Sequence, residues 1–430
     1  MRKNRVKSGN DCQDSLRFWG AVGSTRQGAI FVTQALPRIA LVSTVVPPGA
    51  QGQAHVLGHL IGFPPPENCL LLADQPPFPP GTALEGPFAN YRILRQRRIE
   101  LKDKGLLTDR LPHLNSMVGV LHSVAMRAHE ISQHAREFKA SVLIACTASP
   151  FDLPACTLVA IRRRLPLVTY LFDDPIFQWA PGPLRNFARL WEPVWARVAA
   201  QVIVPNEAMA EKFAQRRRRE PVIVRNPVSP EAVSITSAWP TVPGQFRIVY
   251  TGSVYHAQSD AFLNLLGALE ELDGWSLHIY TSQTEAQVEQ YGIRGPRVFH
   301  HRHVNQTEAY AQQRLADVLF LPLAFHSTIQ EVLRTSAPMK MGEYLASGRP
   351  ILAHAPPDTF VADHIRRNRA GLVVDIPDSN AIASALREIA ANAELRQVVC
   401  ANAVDLAKEY RVQQAFDIFW TTIRAAAGET

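Results

Sequence analysis

Cysteine is scarce in this sequence, and its spacing carries no framework. Cys12, Cys69, Cys146, Cys156 and Cys400 are odd in number, far apart and without a CxxC pair. That argues against a disulfide scaffold and a structural zinc site, and it suits a reducing compartment. Cys69 and Cys146 sit inside apolar runs, where a thiol behaves as a small hydrophobe. No apolar run reaches about 18 residues, so nothing reads as a membrane span. The first 37 residues lack a long apolar stretch followed by a small-residue cleavage site, so they do not read as a secretory signal. A disordered extension and a start codon placed too early are both open there. No aromatic-interleaved basic surface or nucleic-acid reader motif is present, so nucleic acid is not an expected partner.

What is present is a chain of 430 residues, 47% hydrophobic and 19% charged. Typical domains run to roughly 100–200 residues, so two domains is the natural expectation. The net charge of +7 favours an anionic partner: a nucleoside diphosphate, a lipid phosphate or a membrane surface. The basic residues cluster. Arg92, Arg95, Arg97, Arg98, Lys102 and Lys104 form one group, and Arg216, Arg217, Arg218 and Arg219 another. Both are read as lying outside strands on solvated loops or helix faces, open to peripheral contact with a membrane.

Ile39–Ser43 opens a buried-strand pattern, followed by the loop Pro47-Pro48-Gly49-Ala50-Gln51-Gly52 and a helix from about Gln53. Apolar strands recur at 69–73, 142–146, 165–171, 202–205 and 222–224, with a helix over 114–138. Strands that are apolar throughout and separated by helices imply a parallel sheet covered on both faces. A Pro-rich interval near 229–245 breaks the pattern, and strands resume at 246–252, 276–280, 318–322, 350–353 and 370–374. The expected division is an extension over 1–37, a first domain over 38–228, a linker over 229–245 and a second domain over 246–410. A terminal helix over 411–430 is expected to pack back on the first domain. The fold class is α/β, with two Rossmann-like doubly wound domains facing across a cleft. Ligands in such sheets sit outside the carboxyl ends of the strands.

The sharpest signal is Pro338-Met339-Lys340-Met341-Gly342-Glu343-Tyr344-Leu345-Ala346-Ser347-Gly348-Arg349-Pro350. It resembles the donor-binding segment of GT-B glycosyltransferases, above all the retaining group called family 4, whose pattern is P-x-K-x-x-E-Y-L-A-x-G-x-P. Weaker agreements are Asn226-Pro227-Val228, Asp317–Pro322, Ala370–Val373 and Gln51-Gly52, the last matching a Gly-rich acceptor or phosphate loop. The resemblance covers roughly 38–419. It implies that Glu343 accepts hydrogen bonds from a ribose diol and that Gly252-Ser253 receives the diphosphate. Lys340 and Glu343, three apart on a helix, share one face. A cation beside free helix N–H groups suits a diphosphate.

Two departures from the family pattern stand out. The family often places a Lys after the glycine of the phosphate loop, and none lies between Gly252 and Glu270. His256, Gln258 or Arg247 are the candidate substitutes. A further Glu, eight residues before the one matching Glu343, is Thr335 here. Glu331 and Thr335 then fall in a polar loop with Ser327, Thr328 and Arg334 that could hold sugar hydroxyls. In the first half, Asp173 and Asp174 follow an apolar strand and are the candidate catalytic or acceptor-orienting acids; a helix-capping role for an Asp before Pro175 is equally open. His55 and His59, at i and i+4, and the run His300-His301-Arg302-His303 invite a metal reading. Neither has a third converging ligand, and neighbouring strand residues point to opposite faces.

The expected function is transfer of a sugar from a nucleotide-sugar, a substrate rather than a cofactor, to a glycan or lipid-linked acceptor. The setting would be bacterial-type polysaccharide or glycoconjugate biosynthesis, without a metal, in the cytoplasm or at the inner face of its membrane. A GT-B sugar-nucleotide epimerase and a non-catalytic nucleotide-sugar-binding subunit are the alternatives.

Overall fold

The structure is a computed structural model that describes residues 36–49, 51–62, 66–74, 89–95, 112–229, 232, 239, 242, 244–302 and 305–428. The side chains of 112–118 are not among them. Most of the expected extension over 1–37, most of the interval 229–245, and Arg97, Arg98, Lys102, Lys104 and His303 lie outside the described residues. The chain divides into two units, Met1–Val224 with Ala415–Thr430, and Arg225–Gln414.

The first unit is built on β1 (Ile39–Ser43), β2 (Cys69–Ala73), β3 (Tyr91–Ile93), β4 (Val142–Cys146), β5 (Leu167–Tyr170), β6 (Ala199–Val204) and β7 (Val222–Ile223). Among the described residues they form one sheet in the order β3-β2-β1-β4-β5-β6-β7, parallel throughout. Every residue of β1, β2 and β4 is buried, as strands covered on both faces require. The helices are α1 (Gly52–Ile61), α2 (Pro112–Glu137), α3 (Asp152–Arg163), α4 (Pro183–Val198) and α5 (Glu207–Arg217). The helix α14 (Val412–Ala427) completes this unit from the far end of the chain: Trp420 Nε1 donates to Leu60 O at 2.9 Å, and Phe419 packs against Tyr170.

The second unit carries β8 (Phe246–Thr251), β9 (Trp275–Tyr280), β10 (Val298–His301), β11 (Val318–Pro322), β12 (Ile351–His354) and β13 (Leu372–Val374). They form a parallel sheet in the order β10-β9-β8-β11-β12-β13. Its helices are α6 (Ser259–Glu270), α7 (Glu285–Glu289), α8 (Gln306–Arg314), α9 (Gln330–Arg334), α10 (Met339–Ala346), α11 (Phe360–Arg367), α12 (Ser379–Ala391) and α13 (Ala393–Leu406).

Four points differ from the sequence reading. Arg92 lies within β3, an edge strand too short to show a period. The Glu331 and Thr335 segment contains the short helix α9, because Val332 and Leu333 bury and draw the backbone round. Residues 225–229, assigned by sequence to the end of the first domain and the start of the linker, are tied to the second unit. Asn226 Nδ2 donates to Ala337 O at 2.8 Å, Val228 N to Tyr410 O at 2.8 Å, and Arg225 pairs with Glu409 at 2.8 Å. The fourth point is the arginine run at the end of α5, of which Arg216, Arg217 and Arg219 face inward and Arg218 is exposed. Arg216 pairs with Asp174 at 2.8 Å and with Glu192 at 2.9 Å, Arg217 pairs with Glu192, and Arg219 caps the carbonyls of Ala196, Ala199 and Ala200. Glu192 is fully buried, and an unpaired carboxylate there would be costly; the arginines are its counter-ions.

Candidate donor site in the second unit

β8 ends at Thr251, and Gly252 turns the chain with φ +111°, a conformation that favours glycine. There is a second reason for glycine. A Cβ at this position would lie 3.3 Å from Lys340 Nζ, so the lysine head passes directly over the turn. The turn is fixed on both sides. Gln283 accepts from Val254 N at 2.6 Å and donates back to Val254 O at 2.9 Å, copying a backbone pairing with its side chain. Tyr250 Oη lies 2.6 Å from Ser253 O. Gly252 N donates to Tyr280 O at 2.8 Å. Among the described residues this leaves the N–H of Ser253, between two committed neighbours, available to an incoming anion.

Lys340 is the second residue of α10, which starts after Pro338. Its ammonium donates to Tyr250 Oη at 2.6 Å and stands 4.1 Å from the centre of that ring. Crowding by protein lowers its pKa to about 7, partly opposed by the charge of Glu343; the side chain nevertheless keeps some solvent contact. A lysine drawn toward neutrality gains from an arriving anion, which favours its charged form.

One turn on, Glu343 accepts from Gln313 Nε2 at 3.0 Å. The same amide nitrogen reaches Thr251 Oγ1 at 3.0 Å, and Thr251 N donates to Tyr344 Oη at 3.0 Å. So α8, β8 and α10 meet at one carboxylate. Burial raises the pKa of Glu343, while Gln313 and Lys340 pull it back. Gly342 lets α10 pack closely: a Cβ there would meet Val228 Cγ2 at 2.5 Å and Tyr410 Cδ1 at 3.1 Å.

Of the sequence-predicted site residues, Gly252, Ser253, Lys340 and Glu343 come together. The proposed substitutes for the missing loop lysine do not join them as expected. Gln258 is buried and holds Tyr250 Oη at 2.9 Å, and Arg247 is spent on Tyr280 Oη at 3.0 Å, near the opposite end of β8. His256 is exposed in the loop. Thr335 is buried, with its hydroxyl 3.4 Å from Val332 O, and Glu331 pairs with Arg334, which also binds Asp358 at 2.6 Å. The sequence did not single out Tyr250 and Gln313. A tyrosine two residues before the glycine turn, at the end of the strand, was the available signal for the first.

In the first unit, Asp174 is fully committed. Its Oδ1 accepts from Ile176 N and Phe177 N at 2.9 and 3.1 Å, and its Oδ2 binds Arg216. Asp173 is different: its side chain is exposed, while surrounding protein and the charge of Asp174 raise its pKa. Thr147 Oγ1 accepts from the N–H groups of Phe172 and Asp173 at 2.8 and 3.3 Å and fixes that turn to the end of β4. Gln51 and Gly52 stand at the start of α1, where Gln53 Nε2 donates to Ser43 Oγ at 2.8 Å and to Thr147 O at 3.1 Å. His59 is buried and His55 half-buried, and crowding by protein lowers both to about 4, so both are neutral imidazoles near pH 7. His301 stacks with Tyr280 and bonds His278 at 2.9 Å. Among the described residues there is no group of three or more His, Cys, Asp or Glu side chains placed to hold a metal, and no helix is long and apolar enough to cross a membrane.

A glycine turn, a lysine across it and a carboxylate one helical turn away thus lie together at the end of β8 in a parallel sheet. Residues 245–392 match the family model described as Glycosyl transferases group 1. The fold is that of GT-B glycosyltransferases, and the second unit carries a group 1 glycosyltransferase domain. Among solved structures, HepE from Anabaena in complex with UDP and glucose is 15% identical with a TM-score of 0.62, covering 90% of this chain and 100% of its own. Sucrose-phosphate synthase from Thermosynechococcus elongatus is 12% identical with a TM-score of 0.62, over 91% of this chain and 99% of its own. WaaG, a glycosyltransferase involved in lipopolysaccharide biosynthesis, is 14% identical with a TM-score of 0.56, over 91% and 99%. No curated protein sequence matches the chain.

Proposed function

We propose that this chain transfers a sugar from a nucleoside-diphosphate sugar to a glycan or lipid-linked acceptor, in bacterial polysaccharide or glycoconjugate synthesis. The observation that carries the reading is the ammonium of Lys340 lying over Gly252, with Glu343 one helical turn away. As the donor bond breaks, negative charge grows on the departing diphosphate. Lys340 and the Ser253 N–H are positioned to stabilise it, and fixed donors are worth most where charge develops. Glu343 supplies acceptor oxygens for the ribose diol. Glu331, Thr335 and the loop 323–327 are the candidate sugar contacts. Asp260 fixes that loop by accepting from Phe325 N at 3.0 Å and His326 N at 2.8 Å.

Retention of configuration follows the family resemblance. In that chemistry the leaving phosphate takes the acceptor proton, and the protein positions and stabilises charge. Of the two acids proposed as catalytic, Asp173 is the better placed to orient an acceptor, since Asp174 is occupied by Arg216 and the turn it caps. Gln51 and Gly52 are assigned to the acceptor side.

The test is calorimetric titration with UDP, chosen because HepE was crystallised with it, and with GDP, ADP and dTDP, followed by turnover of the matching sugar donors with and without EDTA. Binding of one nucleotide with EDTA-resistant transfer is the expected result. Turnover of donor alone into an isomeric sugar nucleotide would assign an epimerase. Binding without any turnover across an acceptor panel would assign a non-catalytic subunit.

A further inference from the structure

The outward faces of α3 and α4 carry positive charge alone. Their carboxylates are Asp152 and Glu192, both fully buried and both paired to arginines inside the unit. What points outward is Arg162 on α3 and Arg189 and Arg197 on α4, with Arg164 just beyond α3, all exposed. Interleaved with them are exposed aliphatic side chains: Leu158 and Ile161 on α3, and Leu190 and Val194 on α4. Their spacing is helical. Leu158, Ile161 and Arg162 fall at i, i+3 and i+4; Leu190, Val194 and Arg197 at i, i+4 and i+7. Leu190 is 66% exposed and Ile161 56%, and what is informative is that they recur along the two helices beside arginines rather than singly. Between α2 and α3 runs a groove of about 910 Å³, floored by Ala125, Ala128 and Val159 and rimmed by Arg136 and Arg162.

We propose that this α3–α4 face docks the protein on an anionic lipid bilayer. Aliphatic groups between arginines, with no outward acid, complement a surface that is apolar beneath and negative on top. Protein partners are met by faces enriched in aromatic side chains; the exposed large apolar groups on α3 and α4 are all aliphatic. The face also replaces the run 216–219 as the basic contact, since Arg216, Arg217 and Arg219 are turned inward and Arg218 alone is exposed. The proposal is compatible with a lipid-linked acceptor but does not depend on the donor site, whose residues belong to the second unit.

The experiment is vesicle flotation of the full chain with neutral phosphatidylcholine vesicles and with vesicles containing a third phosphatidylglycerol, in low and high salt. The expected result is binding to the anionic vesicles alone, lost in high salt. An arginine near an anionic leaflet contributes about fivefold in partitioning, so Arg189→Gln with Arg197→Gln should cost roughly 25-fold. Ile161→Ser with Leu190→Ser should weaken binding even in low salt. Thermal melting followed by circular dichroism on the same variants should match wild type, and it reports whether the first unit still folds. Absence of wild-type binding, equal binding to neutral vesicles, or undiminished binding by both double variants overturns the proposal. So does preferential capture by soluble polyglutamate, which would assign the face to an acidic protein. Wild-type vesicle binding without any nucleotide binding would instead overturn the donor reading and leave this one standing.

Discussion

Replacing Glu343 by Ala tests the donor assignment most directly, because the site gives the loss a chemical signature. If the carboxylate accepts from the ribose hydroxyls, it forms charge-assisted hydrogen bonds worth about 1.5–3 kcal/mol each. At 1.4 kcal/mol per decade, losing one weakens UDP binding roughly ten- to hundredfold. A second route to weaker binding must be separated from this one. Glu343 also supports the charge on Lys340, whose pKa already lies at about 7. Without the carboxylate the lysine becomes neutral more readily and holds the diphosphate less well. Titration at pH 6 lessens this contribution, and the 2′-deoxy nucleotide, which carries the same diphosphate, measures what remains of it. The measurement is therefore calorimetry at pH 6 with UDP and with 2′-deoxyuridine diphosphate. Wild type should prefer UDP, and Glu343→Ala should bind both alike, with deoxy affinity near the wild-type value. Equal losses for the two nucleotides in a folded variant would show that Glu343 does not read the ribose.

Lys340 should make UDP binding pH-dependent. Its folded pKa lies below the ordinary value of 10.5, so between about 7 and 10.5 the unfolded chain holds the extra proton. Stability from this group therefore rises with pH across that window, while anion binding, which needs the charged form, falls. At pH 8, UDP binding should take up close to one proton, seen as a buffer-dependent enthalpy that Lys340→Met abolishes. Gly342→Ala sets an overpacking cost of about 1–3 kcal/mol against a helix-propensity gain of about 1. The expected net loss is up to about 2 kcal/mol, with weaker UDP binding as α10 shifts; a raised melting midpoint would refute the close packing. Glu192→Gln removes the carboxylate that Arg217 pairs with and one of the two that Arg216 pairs with, and should cost about 3 kcal/mol. For a unit of this size that is a fall of roughly 6–12 °C in the first unit's midpoint, read by circular dichroism; a fall below 2 °C would contradict the assigned ion pairs.

Much of the fold is legible in the sequence because a parallel sheet writes itself as apolar runs. β1, β2, β4 and β11 are fully buried, and each is visible as such a run. β3 and β10 escape, since short edge strands need no apolar alternation; β10 even includes His300 and His301. The donor site is legible where chemistry fixes identity and spacing together, as at Lys340 and Glu343. It is illegible where a residue acts through a partner distant in sequence. Tyr250 reads as a core strand residue, yet its hydroxyl carries the lysine. Asp174 reads as a free acid, because nothing local announces that Arg216 will reach it.

The arginine run that closes α5 has a consequence for how this chain meets proteases. Four consecutive arginines are a dense target for any enzyme that cuts after basic residues, and such enzymes need an extended, accessible backbone. Here Arg216 and Arg217 are held to Glu192 and Arg219 is seated on three carbonyls. Arg218 is exposed at the helix end, where it turns the backbone with φ 52°. The run is thus guarded by the same ion pairs that hold α4 to α5, and its cleavage requires the local opening of those helices.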